Sequence, residues 1–451
     1  MNANAPRQHR QVLAEAGHKI ERFFFRPISA SGFGLMRIAW ALTVLIYGVG
    51  HLPDVARYYG AEGLLPAEME HIVTRGAYRL TLLHVITDPQ AVVFLYALML
   101  AACVFMILGI APRLMTVIAV LLLFSFHERN PLSLGGGDTT LRNVGFLLML
   151  APCGLAFSKK RWRAQWERWR ANMPLLPPTQ MPAWPMRLML WQLIIIYVAT
   201  GWDKVLGSMW LDGTAVGSTL LHTHFVRWPL PWMMTLGVGT AVFTYATLIF
   251  EFAWLLLLFP NAVLKFMRLS KGAIKRGLLI GGVLFHGGIF ILMDVGSFSA
   301  AILTAYLGVL TEEDFTAMRN FWNNLWSKDK HQKIAMLFDG HCGLCQKSVF
   351  TLVTLDHLHR LKPIDFHDAE RKKQCAADIA LKDLDKAMHI RFSNKKTLKG
   401  FSAAHALTWH LPVFWILAPL MYLPGVSSLG NKIYKRIARN RKKCTHESCG
   451  I

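Results

Sequence analysis

The chain is poor in charged residues. Only 17% of its 451 residues are Asp, Glu, Lys or Arg, whereas soluble globular proteins hold about 25%. Seven cysteines are too few for a small secreted scaffold held together by disulfides. Acidic residues are scarce too, with 27 Asp and Glu against 49 Lys and Arg and a net charge of +22. These shortages exclude an ordinary soluble enzyme and a disulfide-rich domain.

Long apolar runs take the place of the missing charge. Runs of roughly 17–25 apolar residues, the length that crosses about 30 Å of hydrocarbon, recur through the first 310 residues. We predict a polytopic α-helical membrane domain over residues 1–310, with about eight spans. They are expected near 33–50, 91–110, 114–127, 138–157, 186–206, 236–259, 277–294 and 296–310.

Lys and Arg are divided unequally between the two sides of these spans. The N-terminal segment, the 111–113 turn and the segments 158–187 and 260–276 hold 18 of them, and the opposite loops hold 5. Cytoplasmic loops carry such an excess, so the N-terminus is predicted to be cytoplasmic, and after eight crossings so is the C-terminus. Because the basic residues follow the side of the membrane and do not cluster on one domain, nucleic-acid binding is not expected.

Composition changes at about residue 311. Residues 311–332 are charged and amphipathic and are predicted to form a linker. Residues 333–451 then alternate short β-prone runs with helical ones, which predicts a small α/β domain. Strands are expected at 333–340, 361–366 and 387–392, and helices at 343–359, 369–385 and 402–410.

The sharpest motif is Cys342-Gly-Leu-Cys345, placed directly after a predicted strand and at the start of a helix. A helix N-terminus stabilises a thiolate, so Cys342 is expected to attack and Cys345 to resolve. Asp339 could relay protons beside them or act only as a turn residue. Two alternatives stay open: inert thiols, or a zinc site completed by Cys444 and Cys449.

A resemblance adds to this motif. The segment FDGHCGLCQKSV and the later stretch 400–444 resemble the DCC family of thiol-disulfide oxidoreductases, which is named for an Asp-x-x-Cys-x-x-Cys signature. That signature maps onto Asp339, Cys342 and Cys345. The resemblance covers roughly 334–449 and implies a thioredoxin-like domain that uses the cysteine pair for redox chemistry.

Several ionisable residues fall at membrane depth, where each is a functional candidate because burial of charge is costly. Lys204 is singled out, since an amine desolvated among apolar side chains can serve as a base. Its alternative is neutralisation by the neighbouring Asp203 or snorkelling outward. Further predictions are an ion pair between Asp138 and Arg142, a snorkelling Arg37, and binding roles for Glu251 and His286.

The membrane part resembles the HTTM domain, which is shared with vitamin K-dependent gamma-carboxylases and bacterial relatives. The resemblance implies that Lys204 is a catalytic base, with Tyr197 and Gly201 in register, and that Asn130 belongs to the substrate site. The family's next residue, a His, is Pro131 here. The stretches that carry the resemblance are 126–154, 197–215 and 285–310.

Together these features predict a multi-pass thiol-disulfide oxidoreductase of the bacterial inner membrane. The dithiol would exchange electrons with a protein or peptide thiol substrate on the cytoplasmic side. The membrane domain would bind a quinone or another lipid-soluble substrate near Lys204, Glu251 and His286, and membrane lipid is the surrounding partner. No metal is assigned in this interpretation. The alternatives are a non-redox scaffold with a four-cysteine zinc site, and a carboxylase-like enzyme that modifies peptides.

Overall fold

The computed structural model describes residues 15, 17–74, 76, 79–237, 239–326, 333–415 and 417–439. It is mostly helical and divides into two compact units. The larger unit, called the helical unit below, takes residues 1–168 and 173–312, and the smaller one, the α/β unit, takes residues 169–172 and 313–451.

All eight predicted spans fall on helices of the helical unit. Their observed bounds are Ser31–His51, Pro89–Ile107, Pro112–Arg129, Gly136–Leu150, Trp184–Val205, Gly239–Ala253 extended by the 3-10 turn Trp254–Leu258, Lys271–Leu292 and Phe298–Gly308. Shorter helices connect them at Val55–Tyr59, Ala67–Val73, Lys159–Arg170, Ser208–Leu211, Ala215–Leu221, Leu230–Met234 and Asn261–Phe266. A small antiparallel ribbon pairs β1 (Pro27–Ser29) with β2 (Gln180–Pro182).

Among the residues that the structure describes, five helical segments are long and apolar enough to cross a membrane, which indicates a membrane protein. They are Ser31–Tyr59, Pro89–Ile107, Trp184–Val205, Gly239–Leu258 and Lys271–Leu292. The count of eight is therefore not confirmed. Pro112–Arg129 carries three charged residues at its ends, and the other two helices hold 15 and 11 residues, which is about 22 Å and 16 Å at 1.5 Å per residue.

The core of the helical unit extends over its long helices, and one close contact within it joins the first span to the helix Gly136–Leu150. A Cβ on Gly145 would lie 2.8 Å from the Trp40 ring, and the Trp40 indole donates to Leu141 O at 2.9 Å. Arg37 is fully buried, and its guanidinium donates to Cys153 O at 2.8 Å and to Phe157 O at 2.7 Å. The snorkelling predicted for Arg37 is wrong, because the carbonyls that follow the neighbouring helix satisfy its charge inside the protein.

The α/β unit is built on a four-stranded sheet of β3 (Ile334–Phe338), β4 (Leu361–Asp365), β5 (His389–Arg391) and β6 (Thr397–Lys399). Their order in the sheet is β4-β3-β5-β6. β3 pairs in parallel with β4 and antiparallel with β5, and β5 pairs antiparallel with β6. The helices are Glu312–Trp326, Gly343–Thr354, Ala369–Ala376, Leu381–Leu384, Phe401–His410, Ala418–Met421 and Val426–Arg439.

Alternate residues of β3 face two apolar layers, as the two-residue period of a strand requires. Met336 packs with Val349 and Leu407 on one face, and Leu337 packs with Ile364 on the other. The predicted strands and helices are all present, but the single helix expected over 369–385 is two short helices. The strand β6 and the last helix were not predicted.

The last helix, Val426–Arg439, packs closely on the helix Phe401–His410. A Cβ on Gly430 would come within 2.2 Å of the Phe401 ring, so this crossing needs glycine. Tyr434 of the same helix accepts a hydrogen bond from Met388 N at 3.0 Å. These contacts hold the end of the described chain against the start of β5.

Candidate functional site

The cysteine motif lies where β3 passes into a helix. Cys342 is the N-cap residue of the helix Gly343–Thr354, and its sulfur accepts a hydrogen bond from Cys345 N at 3.3 Å. Amide donors at a helix N-terminus stabilise a thiolate. Cys342 is 1% exposed, whereas Cys345 is half-buried. The sulfur with the amide donor is therefore the less accessible of the two.

Asp339 fixes the loop in front of the cysteines. Its side chain is 5% exposed, and Oδ1 accepts from His341 N at 2.9 Å and from His367 Nε2 at 3.0 Å. The first contact is that of a turn residue, and the second connects the carboxylate to an ionisable ring. The two roles predicted as alternatives for Asp339, turn former and proton relay, are thus compatible in one geometry.

A second carboxylate, Asp365, joins this loop to the one that follows β4. Its Oδ1 accepts from Gly340 N at 3.1 Å and from His367 N at 3.0 Å. A Cβ on Gly340 would lie 1.9 Å from Asp365 Oδ2, so only glycine fits there. Gln346 also donates to the carbonyl of Gly340. Two loops at the same end of adjacent parallel strands therefore form one site.

Two histidines complete this site, and sequence reasoning missed both. The rings of His341 and His367 stack with centroids 4.1 Å apart. Asp339, His341 and His367 each present a ligand atom within 4.8 Å of the other two, so they could hold a metal ion. The signal that could have revealed His367 is its place directly after β4, because parallel neighbouring strands end at one edge of a sheet.

The zinc alternative cannot be followed through its second cysteine pair. Cys444 and Cys449 lie outside the described residues. The first pair, Cys342 and Cys345, lies at the N-terminus of the helix Gly343–Thr354.

In the helical unit Lys204 is paired, although not with its sequence neighbour. Lys204 Nζ donates to Glu251 Oε1 at 2.8 Å, with side-chain exposures of 23% and 4%, and it lies 5.2 Å from the Trp210 ring centroid. Asp203 is exposed. Glu251, predicted as a substrate-binding residue, is therefore the partner that holds the ammonium of Lys204.

His286 belongs to a buried hydrogen-bonded chain of aromatic residues. Its Nε2 lies 2.7 Å from the hydroxyl of Tyr197, which is itself hydrogen-bonded to the hydroxyl of Tyr306. The Tyr197 ring stacks on the Trp254 ring, with the two ring centroids 4.7 Å apart. Within the described part of the chain, Nδ1 of His286 is buried with no hydrogen-bond partner.

Three other predicted polar residues have structural contacts. Asn130 is 2% exposed and donates to Tyr58 O at 2.8 Å. Arg142 pairs with Glu128 at 2.5 Å, while Asp138 accepts from Gly135 N at 2.9 Å at the start of its helix. The predicted pairing of Asp138 with Arg142 is therefore wrong, since each of them has a better-placed partner.

The helical unit also contains a partly open cavity of about 330 Å³. Four tyrosines contribute to its wall. His127, which is 6% exposed, contributes an imidazole whose Nδ1 has no hydrogen-bond partner in the described chain. Lys204, Glu251 and His286 do not line it. The residues that line it include Tyr47, His51, Tyr58, Tyr59, Tyr96, His127 and Asp138.

Comparison with known proteins bears on the α/β unit. Residues 336–447 match the family model of DCC1-like thiol-disulfide oxidoreductases. The match confirms the resemblance predicted for the C-terminal part and supports a thiol-disulfide oxidoreductase activity. It does not extend to the helical unit, for which the resemblance to the HTTM domain stays a prediction. No curated protein and no solved structure matches the chain.

Proposed function

We propose that this protein is a membrane-anchored enzyme whose dithiol reduces disulfides of a protein or peptide partner. The observation that carries the proposal is the Cys342 sulfur at a helix N-cap, accepting the Cys345 amide at 3.3 Å. The family match over 336–447 supports the same chemistry. The five apolar helices support the membrane anchor.

The topology of the α/β unit supports the thioredoxin-like fold that the DCC resemblance implies. A strand, the helix that follows the cysteine motif, and a second strand parallel to the first make a crossover unit. Two antiparallel strands and a final pair of packed helices follow it. The motif therefore lies at the carboxyl end of a central strand.

The exchange proceeds in two displacements. The thiolate of Cys342 attacks one sulfur of the partner disulfide, so a mixed disulfide forms and the other partner sulfur leaves as a thiolate. The thiolate of Cys345 then attacks Cys342, which releases the second partner thiolate and leaves a Cys342–Cys345 disulfide. Two electrons pass to the partner, and the protons lost by the two cysteines match those that the product thiols gain.

The direction and side of this reaction are part of the proposal. The unequal distribution of Lys and Arg supports a multi-pass protein of a bacterial inner membrane with a cytoplasmic N-terminus. We place the C-terminus on the same side on the basis of the eight crossings predicted from the sequence. Because the cytosol is reducing, the pair rests as a dithiol and acts as a reductant there.

Thiol trapping tests the proposal. In membranes that contain Cys345→Ser, we expect a mixed disulfide between Cys342 and the partner to accumulate, because the resolving thiol is gone. Cys342→Ser should trap at least about tenfold less, since its attacking sulfur is missing. Non-reducing electrophoresis and mass spectrometry of the trapped species measure both and identify the partner.

The matched control is Cys375→Ser, which removes a cysteine outside the motif. Trapping by Cys342→Ser alone would reverse the two roles, and silence of both motif variants would overturn the exchange.

A second candidate function concerns the helical unit, which we propose binds a quinone or another lipid-soluble molecule. The support is the cavity of about 330 Å³, which is lined in part by tyrosines and by His127, whose Nδ1 has no hydrogen-bond partner among the described residues. Largely apolar cavities with a few polar groups are typical ligand sites. The position predicted from the sequence, at Lys204, Glu251 and His286, is a separate polar cluster in the same unit.

Two histidine variants separate these positions. We expect His127→Leu to weaken binding of a benzoquinone with one isoprene unit by about tenfold, because it removes one hydrogen bond of about 1.4 kcal/mol. His286→Leu should leave the affinity within about twofold. Equilibrium binding to the purified full chain in detergent measures both variants. The reverse pattern would move the ligand to the predicted cluster, and an unchanged affinity in both variants would remove this function.

A further inference from the structure

Three metal-ligating side chains meet beside the cysteine motif without using either sulfur. Asp339 comes from the loop after β3, His341 from the same loop, and His367 from the loop after β4. We propose that these three residues bind one divalent transition-metal ion of the Zn²⁺ class. This site is distinct from the four-cysteine zinc alternative, and it does not depend on thiol exchange.

The ligand set matches this class of ion. Two imidazole nitrogens and one carboxylate oxygen are ligands that Zn²⁺ takes in proteins, and three protein ligands leave a fourth position for water or substrate. Ligand atoms of a tetrahedral site with bonds of about 2.0–2.1 Å lie about 3.4 Å apart. The Asp339 and His367 atoms are already 3.0 Å apart, and all three lie within 4.8 Å. The three ligand atoms are therefore already close to the spacing that one bound ion requires.

The surroundings hold these ligands in place. The Asp339 carboxylate is buried and receives the His341 amide at 2.9 Å, which fixes its orientation. Asp365, which is not a ligand, accepts the amides of Gly340 and His367. It thus positions the backbone of both ligand-bearing loops, the kind of support that outer residues give to metal sites.

The three residues also differ in solvent exposure in the way that an ion-binding site requires. Asp339 is 5% exposed, whereas the His367 side chain is 39% exposed, and His341 is exposed as well. An ion can therefore enter from solvent and reach a carboxylate at the base of the site. His341 precedes Cys342 in the chain, so an ion at this position would also brace the residue that leads into the cysteine motif.

Cobalt and zinc binding to the full chain tests the proposal. The protein used carries the substitutions Cys342→Ser, Cys345→Ser, Cys444→Ser and Cys449→Ser, which remove the thiolate ligands of both cysteine pairs. We expect one Zn²⁺ per chain in equilibrium dialysis and a tetrahedral Co²⁺ absorption band. His341→Ala and His367→Ala should each weaken the affinity at least about tenfold, because even outer residues of metal sites contribute that much.

His359→Asn is the matched control, since it removes an exposed histidine of the same unit that lies outside the cluster. It should leave the affinity unchanged. If His367→Ala does not fold, His341→Ala decides alone, because its side chain is exposed. Zn²⁺ affinity that is absent in the parent chain, or equal in the parent and both histidine variants, would overturn the site. Thiol trapping is measured on the cysteine-containing protein, so failure of either proposal is recognised separately.

Discussion

Lys204→Met is expected to lower the free energy of unfolding of the helical unit by about 3 kcal/mol. The substitution leaves the Glu251 carboxylate, which is 4% exposed, without its cation. Breaking a buried ion pair from one side costs about 3–5 kcal/mol, and the 23% exposure of Lys204 places the effect at the lower end. Unfolding of the purified protein in detergent, followed by temperature or denaturant, measures it.

The double variant Lys204→Met with Glu251→Leu distinguishes a broken pair from a lost side chain. It removes both charges, so we expect it to recover most of the lost stability. Asp203→Asn is the control, because Asp203 is exposed, and its effect should stay within about 0.5 kcal/mol. Additive losses in the double variant, or a loss in Asp203→Asn as large as in Lys204→Met, would contradict the pairing with Glu251.

Gly340→Ala is expected to disable the cysteine site. Its Cβ would lie 1.9 Å from Asp365 Oδ2, so the carboxylate must leave the amides of Gly340 and His367. Two unpaired amides cost about 2–4 kcal/mol together. The loop before Cys342 would also shift, and misplacement by about 1 Å lowers a reaction rate about a hundredfold. Stopped-flow reduction of a model disulfide and unfolding of the α/β unit measure the two effects.

A further pair of variants tests whether contact with Asp365 causes the lost activity of Gly340→Ala, or whether the loop tolerates no substitution at that position. Asp365→Ala alone removes the acceptor of both amides and creates space beside Gly340. The double variant Gly340→Ala with Asp365→Ala should then be no slower than Asp365→Ala by itself. A double variant that is much slower than Asp365→Ala would show that contact with Asp365 is not the reason for glycine at position 340.

The long helices of this protein follow from local patterns in its sequence. Apolar runs predicted all eight helices, because backbone hydrogen bonds of a helix are satisfied within the segment itself. The number of membrane crossings could not be predicted as well from the same apolar runs. Phe298–Gly308 is as apolar as its neighbours but too short to span, and Pro112–Arg129 is charged at both ends.

Partners of charged residues were harder to predict than helices. The four-residue spacing predicted an ion pair between Asp138 and Arg142, but Glu128 takes Arg142. Asp138 instead caps the start of its own helix. Likewise Lys204 pairs with Glu251, 47 positions away. Which charged side chains pair depends on how the helices pack, and a local sequence pattern does not give that packing.

In the cysteine site, too, some residues could be predicted from local sequence and others only from the fold. Cys342, Cys345 and Asp339 lie within one short segment, so their spacing revealed them. His367 reaches Asp339 only because β3 and β4 pair in parallel. Its position is a property of the sheet and could have been inferred only after the strand order was known.

The bond network of Asp365 has a consequence for protein engineering. One carboxylate joins two loops that are 25 residues apart in the chain. The tetrapeptide Cys342–Cys345 therefore cannot be transferred to another protein by itself with its geometry intact. A host scaffold that received these four residues alone would lack the anchor that shapes the approach to them. Transplanting the chemistry requires the whole strand-helix-strand block, cut after His367.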